Sequence, residues 1–471
     1  VKLFRSGENL KDRSVLIMGL GTKDGGVGAA LFFSSRGARV TVTDLRDAPL
    51  LAEAISELKG LDIRFVLGGH RMEDFTSADL VVRNPGINRE NRYLAAAEAS
   101  GAVVESPIGV FCELFTRRWT GVTGTKGKSF TTHLVSHILS SSGIHTVAAG
   151  NNCVSPLRLL GDDAVHPVLE LSSWQLAEMD LHRKSPGIGC LLNFFPDHMD
   201  WYDSLEAYRY DKETIARHQS AGETLALPLD DRALREIPGS GTRLFFSSST
   251  APSDETRGCF VEQGWIVWND PERKRLIPLA SLPEHLAVPV HRDLIPPAVC
   301  CAIAAGVPFQ SMAEGVVTFP GIPHRFQLAG NRGKIRFIND SAATTPESVM
   351  KALSSLQHNR VVLIAGGGGH KNLDYGHLAS VIMERTLGVI LFQGDPASAR
   401  LSDALNRLGG TPLEYAGDMT EAVEKGVGFL NPDRDCALLL SPGCSGAPFF
   451  VDLFQRGNQF LASIRALTGE P

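Results

Sequence analysis

Short apolar runs closed by glycine, asparagine or aspartate recur along the chain, and most are followed by a stretch of helical period. SVLIMGLG (Ser14 to Gly21) reads as a buried strand ending in glycines. GGVGAALFFSSRG then supplies a helix closed by Gly37, and ARVTVTDLR a second strand that ends near Asp44. Strand, glycine turn, helix and strand in that order predict a parallel, doubly wound sheet. ADLVVRNPGI adds a strand ending in a turn at Asn84, Pro85 and Gly86, and this segment closes near residue 112.

A second segment begins with RWTGVTGTKGKSFTTHLVSHILSSSG, again strand, glycine turn and helix. HPVLELSSWQL and GIGCLLNFFPDHMDWY hold further buried strands, and SLEAYRYDKETIARHQ a helix. From about 240 to 290 the texture changes to short strands, as in GCFVEQGWIVWND, read as an antiparallel edge on the same domain. The helix PPAVCCAIAAGV ends the segment. A third segment starts near Gly321. It carries two strand-turn-helix units, in IRFINDSAATTPESVMKALSSL and VVLIAGGGGHKNLDYGHLASVIM, and further strands in LGVILFQGD and CALLLSPGCSGAPF.

The length of 471 residues exceeds one ordinary core, so several domains are expected. The charge balance of 46 basic to 52 acidic residues, net −6, lacks the basic excess of a nucleic-acid binder. The eight cysteines form no CxxC pair and sit in apolar or turn segments, which predicts buried free thiols in a reducing compartment. No apolar run is long enough for a membrane span, and VKLFRSGENLKD does not read as a signal peptide. A cytoplasmic location is expected.

TGTKGKSFTTH raises the first chemical question. Gly124 stands closer to Gly127, Lys128 and Ser129 than in the common phosphate loop. The physics is unchanged: a tight turn after a strand gathers backbone N–H groups, and the helix that follows adds its N-terminal dipole. Lys128 can then reach phosphate oxygens, and Ser129 or Thr131 can hold Mg²⁺. The bland alternative is a glycine-rich turn with surface lysines. Glu170 ends an apolar strand, where a carboxylate can hold the same metal. Asp197, His198 and Asp200 follow another strand, and Lys212 lies on the next helix. By themselves these leave a core histidine and a solvent-facing lysine open.

Taken together, TGTKGKS, ELSSWQL, DHMDWY, GIPHRF, NDSAAT and SPGCSGAPFFVDLFQRG resemble the Mur ligases. These are ATP-dependent amino-acid ligases of peptidoglycan precursor synthesis, and the pattern is nearest their glutamate-adding type. The resemblance runs through almost the whole chain, in order. It implies an α/β, three-domain architecture: a Rossmann-like, UDP-binding N-terminal domain (1–112), a central P-loop ATPase-like domain (113–320), and a Rossmann-like C-terminal domain (321–471) that binds glutamate and closes on the nucleotide. It implies ATP and Mg²⁺ at two sites, UDP-N-acetylmuramoyl-L-alanine and glutamate as substrates, and a monomer.

Residue by residue, the resemblance implies an ATP site at Gly124, Thr125, Lys126, Gly127, Lys128, Ser129 and Phe130, with Arg325 and Asp340 reaching the nucleotide on closure. Lys128, Glu170, His198 and Lys212 carry the catalysis. Ser129, Glu170, His198 and Lys212 serve the metals, Lys212 as a carbamate. Gly21, Thr22, Lys23, Asp44, Leu45, Arg46, Asn84, Gly86, Asn151, Ser172 and Gln175 match the UDP-substrate site. GLGTKDGGVG is therefore read as a UDP turn, with NAD binding the weaker alternative. Thr344, Lys371, Ser445, Gly446 and Leu453 match the glutamate site.

The departures lie on the amino-acid and adenine sides. Ala342 replaces a family lysine, and His370 an aspartate. Gly446 stands at the serine of the glutamate turn, beside Ser445. Leu453 replaces an aromatic residue, with Phe449, Phe450 and Phe454 near in sequence, and His291 is followed by Arg292 rather than asparagine. Alternatives are a Mur-type ligase for L-glutamate or another amino acid, a folate ligase, and a nucleotide-binding homologue with impaired catalysis.

Overall fold

The computed structural model describes residues 10–21, 24–84, 86–151, 154–197, 201–250, 252–270, 272–356, 360–369, 373–447 and 449–469. Of the residues singled out by sequence, Thr22, Lys23, His198, Asp200, His370 and Lys371 lie outside them. The chain forms two compact units, one of residues 1–281 with 294–319, the other of 282–293 with 320–471.

The first unit holds two sheets. Strands β1 (Ser14–Met18), β2 (Arg39–Asp44), β3 (Ile63–Leu67), β4 (Leu80–Arg83) and β5 (Val103–Glu105) form a parallel sheet in the order β3-β2-β1-β4-β5. The order reverses between β1 and β4, which opens a crevice at their carboxyl ends. The second sheet contains β6 (Thr120–Thr123), β7 (Thr146–Gly150), β8 (His166–Glu170), β9 (Ile188–Leu191), β10 (Thr224–Pro228), β11 (Thr242–Ser247), β12 (Gly258–Glu262), β13 (Trp265–Asn269) and β14 (Arg273–Pro278). Their order is β14-β13-β12-β11-β10-β9-β6-β8-β7. The antiparallel edge is narrower than its texture predicts. β11 and β12 continue the parallel run, joined by the polar link 248–257, and only β13 and β14 turn antiparallel.

The second unit carries one sheet of β15 (Gln327–Arg332), β16 (Ile335–Asn339), β17 (Val361–Ala365), β18 (Thr386–Phe392), β19 (Leu413–Ala416) and β20 (Cys436–Leu440), ordered β15-β16-β20-β17-β18-β19. Only β15 is antiparallel. Alternate residues of β17 enter opposite cores: Val361, Leu363 and Ala365 on one side, Val362 and Ile364 on the other. A strand covered on both faces reads as one continuous apolar run, which is why VVLIA was visible in the sequence. The final helix, Leu453–Thr468, is capped by Asp452, whose side chain accepts from Gln455 N, and is ended by Gly469 at φ 70°.

Several polar contacts fasten the first sheet's domain to the second within the first unit. Arg158 Nε donates to both oxygens of Asp24, at 2.9 and 2.8 Å, and its guanidinium also pairs with Glu57. Buried Arg83 pairs with Glu178 on the helix Ser173–Leu181. His182, just past that helix, stands between Glu105 and Glu113. The seven described cysteines are buried and free. Among the described residues no helix is long and apolar enough to cross a membrane.

Candidate active site

The phosphate loop leaves β6 in the interior of its sheet, between β8 and β9, and enters the helix Lys128–Ser141. Gly127 precedes that helix at φ 89°, and a Cβ there would come within 2.8 Å of Leu294. Gly124 adopts φ 150°, with space for a Cβ closed by Leu192 at 2.9 Å. Both glycines are thus required by backbone and by space. Asn193, just past β9, closes the loop: its Oδ1 accepts from Lys126 N and its Nδ2 donates to Lys126 O, each at 2.9 Å. Sequence reasoning missed this side chain, since its pairing spans the gap between two strand ends.

The cations of the site converge on one carbonyl. Lys128 Nζ donates to Gly124 O and Thr125 O at 3.0 Å each, and Lys212 Nζ donates to the same Gly124 O at 3.0 Å. Lys212 is only 2% exposed and lies 4.7 Å from the centre of the Tyr208 ring. Burial first, and then the charge of Lys128, hold its ammonium pKa well below the usual lysine value. Lys126 pairs with Asp197 at 3.3 Å. Ser129 sits in the first turn of the helix, whereas the Phe130 side chain is core, edge-on to Phe319.

Glu170 ends β8, fully buried, and its Oε1 accepts from Asn151 Nδ2 at 3.1 Å. Asn151 also lines a cavity of about 690 Å³ at the crevice of the first sheet, with Gly21, Asp44, Leu45, Arg46, Asn84, Gly86 and Gln175. Eight of the sequence-assigned substrate residues therefore share one space. Asp44 shapes its rim, accepting from Gly21 N and Arg46 N at 2.9 Å each. Ser172 has another task. It caps the helix Ser173–Leu181 in a reciprocal box with Gln175. His70, Tyr93 and Trp174 also line the cavity; Trp174 stands in ELSSWQL without having been singled out, and His70 and Tyr93 carried no recognisable signal in sequence.

In the second unit, four distant segments meet. Asp340 follows β16 and accepts from Phe326 N at 3.0 Å and Ser441 Oγ at 2.9 Å, while desolvation pushes its carboxyl up to about 7. Arg325 lowers that value through its charge. Residues 366–369, which lead towards Lys371, lie on the turn that holds Ser445 and Gly446: Gly369 N donates to Ala447 O at 3.2 Å, and Gly368 touches the Ser445 carbonyl so closely that no Cβ fits. Ser445 Oγ is buried with no hydrogen-bond partner among the described residues. Gly446 packs on the Asp452 backbone, where a Cβ would stand 2.6 Å away. Leu453 O accepts from Ser341 Oγ at 2.7 Å. Thr344 lies in the same 341–345 turn, half-buried.

This arrangement is a three-domain Mur ligase fold. The chain matches family models described as the Mur ligase MurD-like N-terminal domain over residues 13–106, the Mur ligase middle domain over 122–261, and the Mur ligase glutamate ligase domain over 324–443. It belongs to the Mur ligase family. Among individual proteins, it is 37% identical to a UDP-N-acetylmuramoylalanine–D-glutamate ligase of Roseiflexus sp. (strain RS-1), covering 98% of this chain and all of the relative. It is 34% identical to the ligase of that name from Geobacter metallireducens, over 98% and 99% of the two chains. In fold it is similar to the solved UDP-N-acetylmuramate-alanine ligase of Thermotoga maritima, with a TM-score of 0.63 at 18% identity, over 96% of this chain and 99% of the other.

Proposed function

We propose that the chain joins D-glutamate to UDP-N-acetylmuramoyl-L-alanine, converting ATP to ADP and phosphate. One observation carries the reading: the lysine-lined phosphate cradle and the substrate cavity belong to one compact unit, and Asn151 links the cavity to the buried carboxylate of Glu170. A carboxylate is a poor acyl donor, because its leaving group would be oxide. In the proposed sequence the alanyl carboxylate oxygen attacks the γ-phosphorus and the bond to ADP breaks. The neutral amine of glutamate then adds to the acyl carbon, phosphate leaves with its bridging oxygen, and the nitrogen loses a proton.

The residues have separable tasks. Lys128 offsets charge on the transferring phosphoryl group, and the N–H groups of Lys126 to Ser129 orient it. Ser129 and Glu170, with His198 and a carbamylated Lys212, are assigned to Mg²⁺. A hydroxyl and a buried carboxylate suit a hard, oxygen-preferring cation. When bound, the metal would screen the phosphate charge and polarise it. Carbamylation needs a neutral amine to add to CO₂ and then lose a proton, and the lowered pKa of Lys212 favours that amine. Asp44, Leu45 and Arg46 take the uridine end, the N-terminus of the helix Asp24–Ser34 faces the diphosphate, and Lys371, Thr344 and the 445–446 turn take the amino acid. A monomer is the assembly this reading takes. Both nucleotides place the reaction in the cytoplasm.

The test is a phosphate-release assay with product mass, using UDP-N-acetylmuramoyl-L-alanine, ATP, Mg²⁺ and each glutamate enantiomer. D-Glutamate is expected to give the amide and ADP. Product with L-glutamate alone, or none with either, overturns the assignment.

A further inference from the structure

The basic residue of SPGCSGAPFFVDLFQRG has no part in the roles above. Arg456 lies in the first turn of the helix Leu453–Thr468 and is 0% exposed. Its guanidinium is fully engaged. Nε donates to Ser341 Oγ at 3.1 Å, and Nη2 donates to Ser341 O at 2.9 Å and Cys444 O at 3.1 Å. Nη1 donates to Ser445 O at 3.1 Å and has Cys444 Sγ at 3.9 Å.

Those partners belong to two turns that are remote in sequence. Ser341 follows Asp340, on the nucleotide side. Cys444 and Ser445 precede Gly446, on the amino-acid side. The frame closes where Ser341 Oγ donates to Leu453 O, at another residue assigned to the amino acid. All the acceptors are neutral, so a whole positive charge is held in the interior without a carboxylate among its hydrogen-bond partners. The nearby acids are occupied: Asp452 Oδ1 caps its own helix, and Asp395 Oδ1 accepts from Gly368 N, Ala397 N and Ser398 N. Burying a cation is costly unless hydrogen bonds satisfy it, and among the described residues all of its acceptors are neutral. A turn-to-turn tether of that cost, placed where an anionic amino acid is to bind, indicates more than packing.

We infer that Arg456 is a positioning residue for the acceptor amino acid, locking the 444–446 turn to the 340–342 turn so that glutamate is held in one pose. The inference rests on the reading that the 445–446 turn receives glutamate. A lysine could not replace it, because three donors on one nitrogen cannot serve two turns as a planar fork does.

The test is steady-state kinetics of Arg456→Lys, varying each substrate in turn, beside a thermal melt. KM for glutamate is expected to rise about ten-fold, as for loss of hydrogen bonds to a charged group, with KM for UDP-N-acetylmuramoyl-L-alanine within about two-fold of wild type. A purely structural anchor would lower the melting temperature and the active fraction but leave KM for glutamate unchanged, and that result overturns the inference. If Arg456→Lys does not fold, Ser341→Ala decides. It removes the Nε acceptor and the bond to Leu453, and should raise KM for glutamate about three-fold; an unchanged value overturns the inference equally. The wild type is assayed alongside. If it uses another amino acid, that acceptor's KM is read instead. If it forms no amide at all, the proposed function fails and this inference with it.

Discussion

The phosphate cradle and the amino-acid edge are built on opposite plans. The cradle's backbone is one continuous strand, turn and helix, residues 120–131, which Asn193 and Lys212 clasp from other elements. The amino-acid edge is assembled from segments near 325, 340, 368 and 445, and its shape depends on side chains that reach from one to another. A local site tolerates the loss of a distant contact but not of its own residues. An assembled site is vulnerable at its tethers. Chemistry common to many reactions, the handling of phosphate, sits on the local plan here. The part proposed to receive the amino acid sits on the assembled one.

The largest effects should fall inside the cradle and leave the fold standing. Lys128→Ala removes the cation from the loop but not the Asn193 clasp that shapes it. Turnover in the phosphate-release assay is expected to fall roughly 10³-fold, the scale for losing one preorganised charge partner, with the melting temperature nearly unchanged. A variant that loses both would show the cradle to be less self-contained than its bonding indicates. Lys212→Met comes next. It should lower turnover by about 10²-fold, within the range for loss of a metal-supporting group, while ATP affinity changes less. Short carboxylic acids should partly restore the activity of this variant; an unchanged turnover would remove Lys212 from the mechanism.

The two plans also explain what the sequence disclosed. Gly124, Gly127 and Lys128 were legible because their spacing, strand and helix lie on one stretch. The parallel strands were legible as unbroken apolar runs such as CALLL. Asn193 and His70 were not, since each pairs with residues far off in sequence and neither stands in a quoted motif; Arg456 stands in one, but its reach to Ser341 could not be read from it. Phe130 stands within the signature, and its side chain packs in the core against Phe319, which its place in the motif does not disclose. The antiparallel edge was overread because β11 to β14 follow one another with no helix between them, and β11 to β12 is a parallel step made by a plain link.

The assembled edge should resist a substitution that restores the family residue. Gly446→Ser places a Cβ 2.6 Å from the Asp452 backbone, at the start of the helix that carries Arg456. Overpacking of this kind typically costs about 1–3 kcal/mol. The expected outcome is a lower melting temperature together with weaker glutamate use, although the change is nominally towards the family pattern. Tighter glutamate binding at equal stability would show that the turn can relax, and would erase the distinction between the two plans.

The smallest effect should appear at another assembled contact, the join between the first two domains. His182 Nε2 stands 3.2 Å from Glu105 and Nδ1 2.8 Å from Glu113, with its side chain 5% exposed. The hydrogen bond to Glu105, and then that to Glu113, raise its pKa against the effect of burial. A raised histidine pKa means that the native state holds the proton more tightly than the unfolded chain does. The stabilisation is therefore full below the unfolded value of about 6.5, and is lost as pH rises through the higher folded value. Between pH 6 and 9 the melting temperature should drift down by roughly 2 °C from this group, the shift for under 1 kcal/mol in a domain of this size. His182→Gln keeps one donor to a glutamate but cannot titrate, so its melting curve should lack that component of the drift. Asp340 titrates in the same window in both proteins, and the difference between the two profiles isolates His182. Parallel profiles would mean that the charged ring does not hold the two domains together.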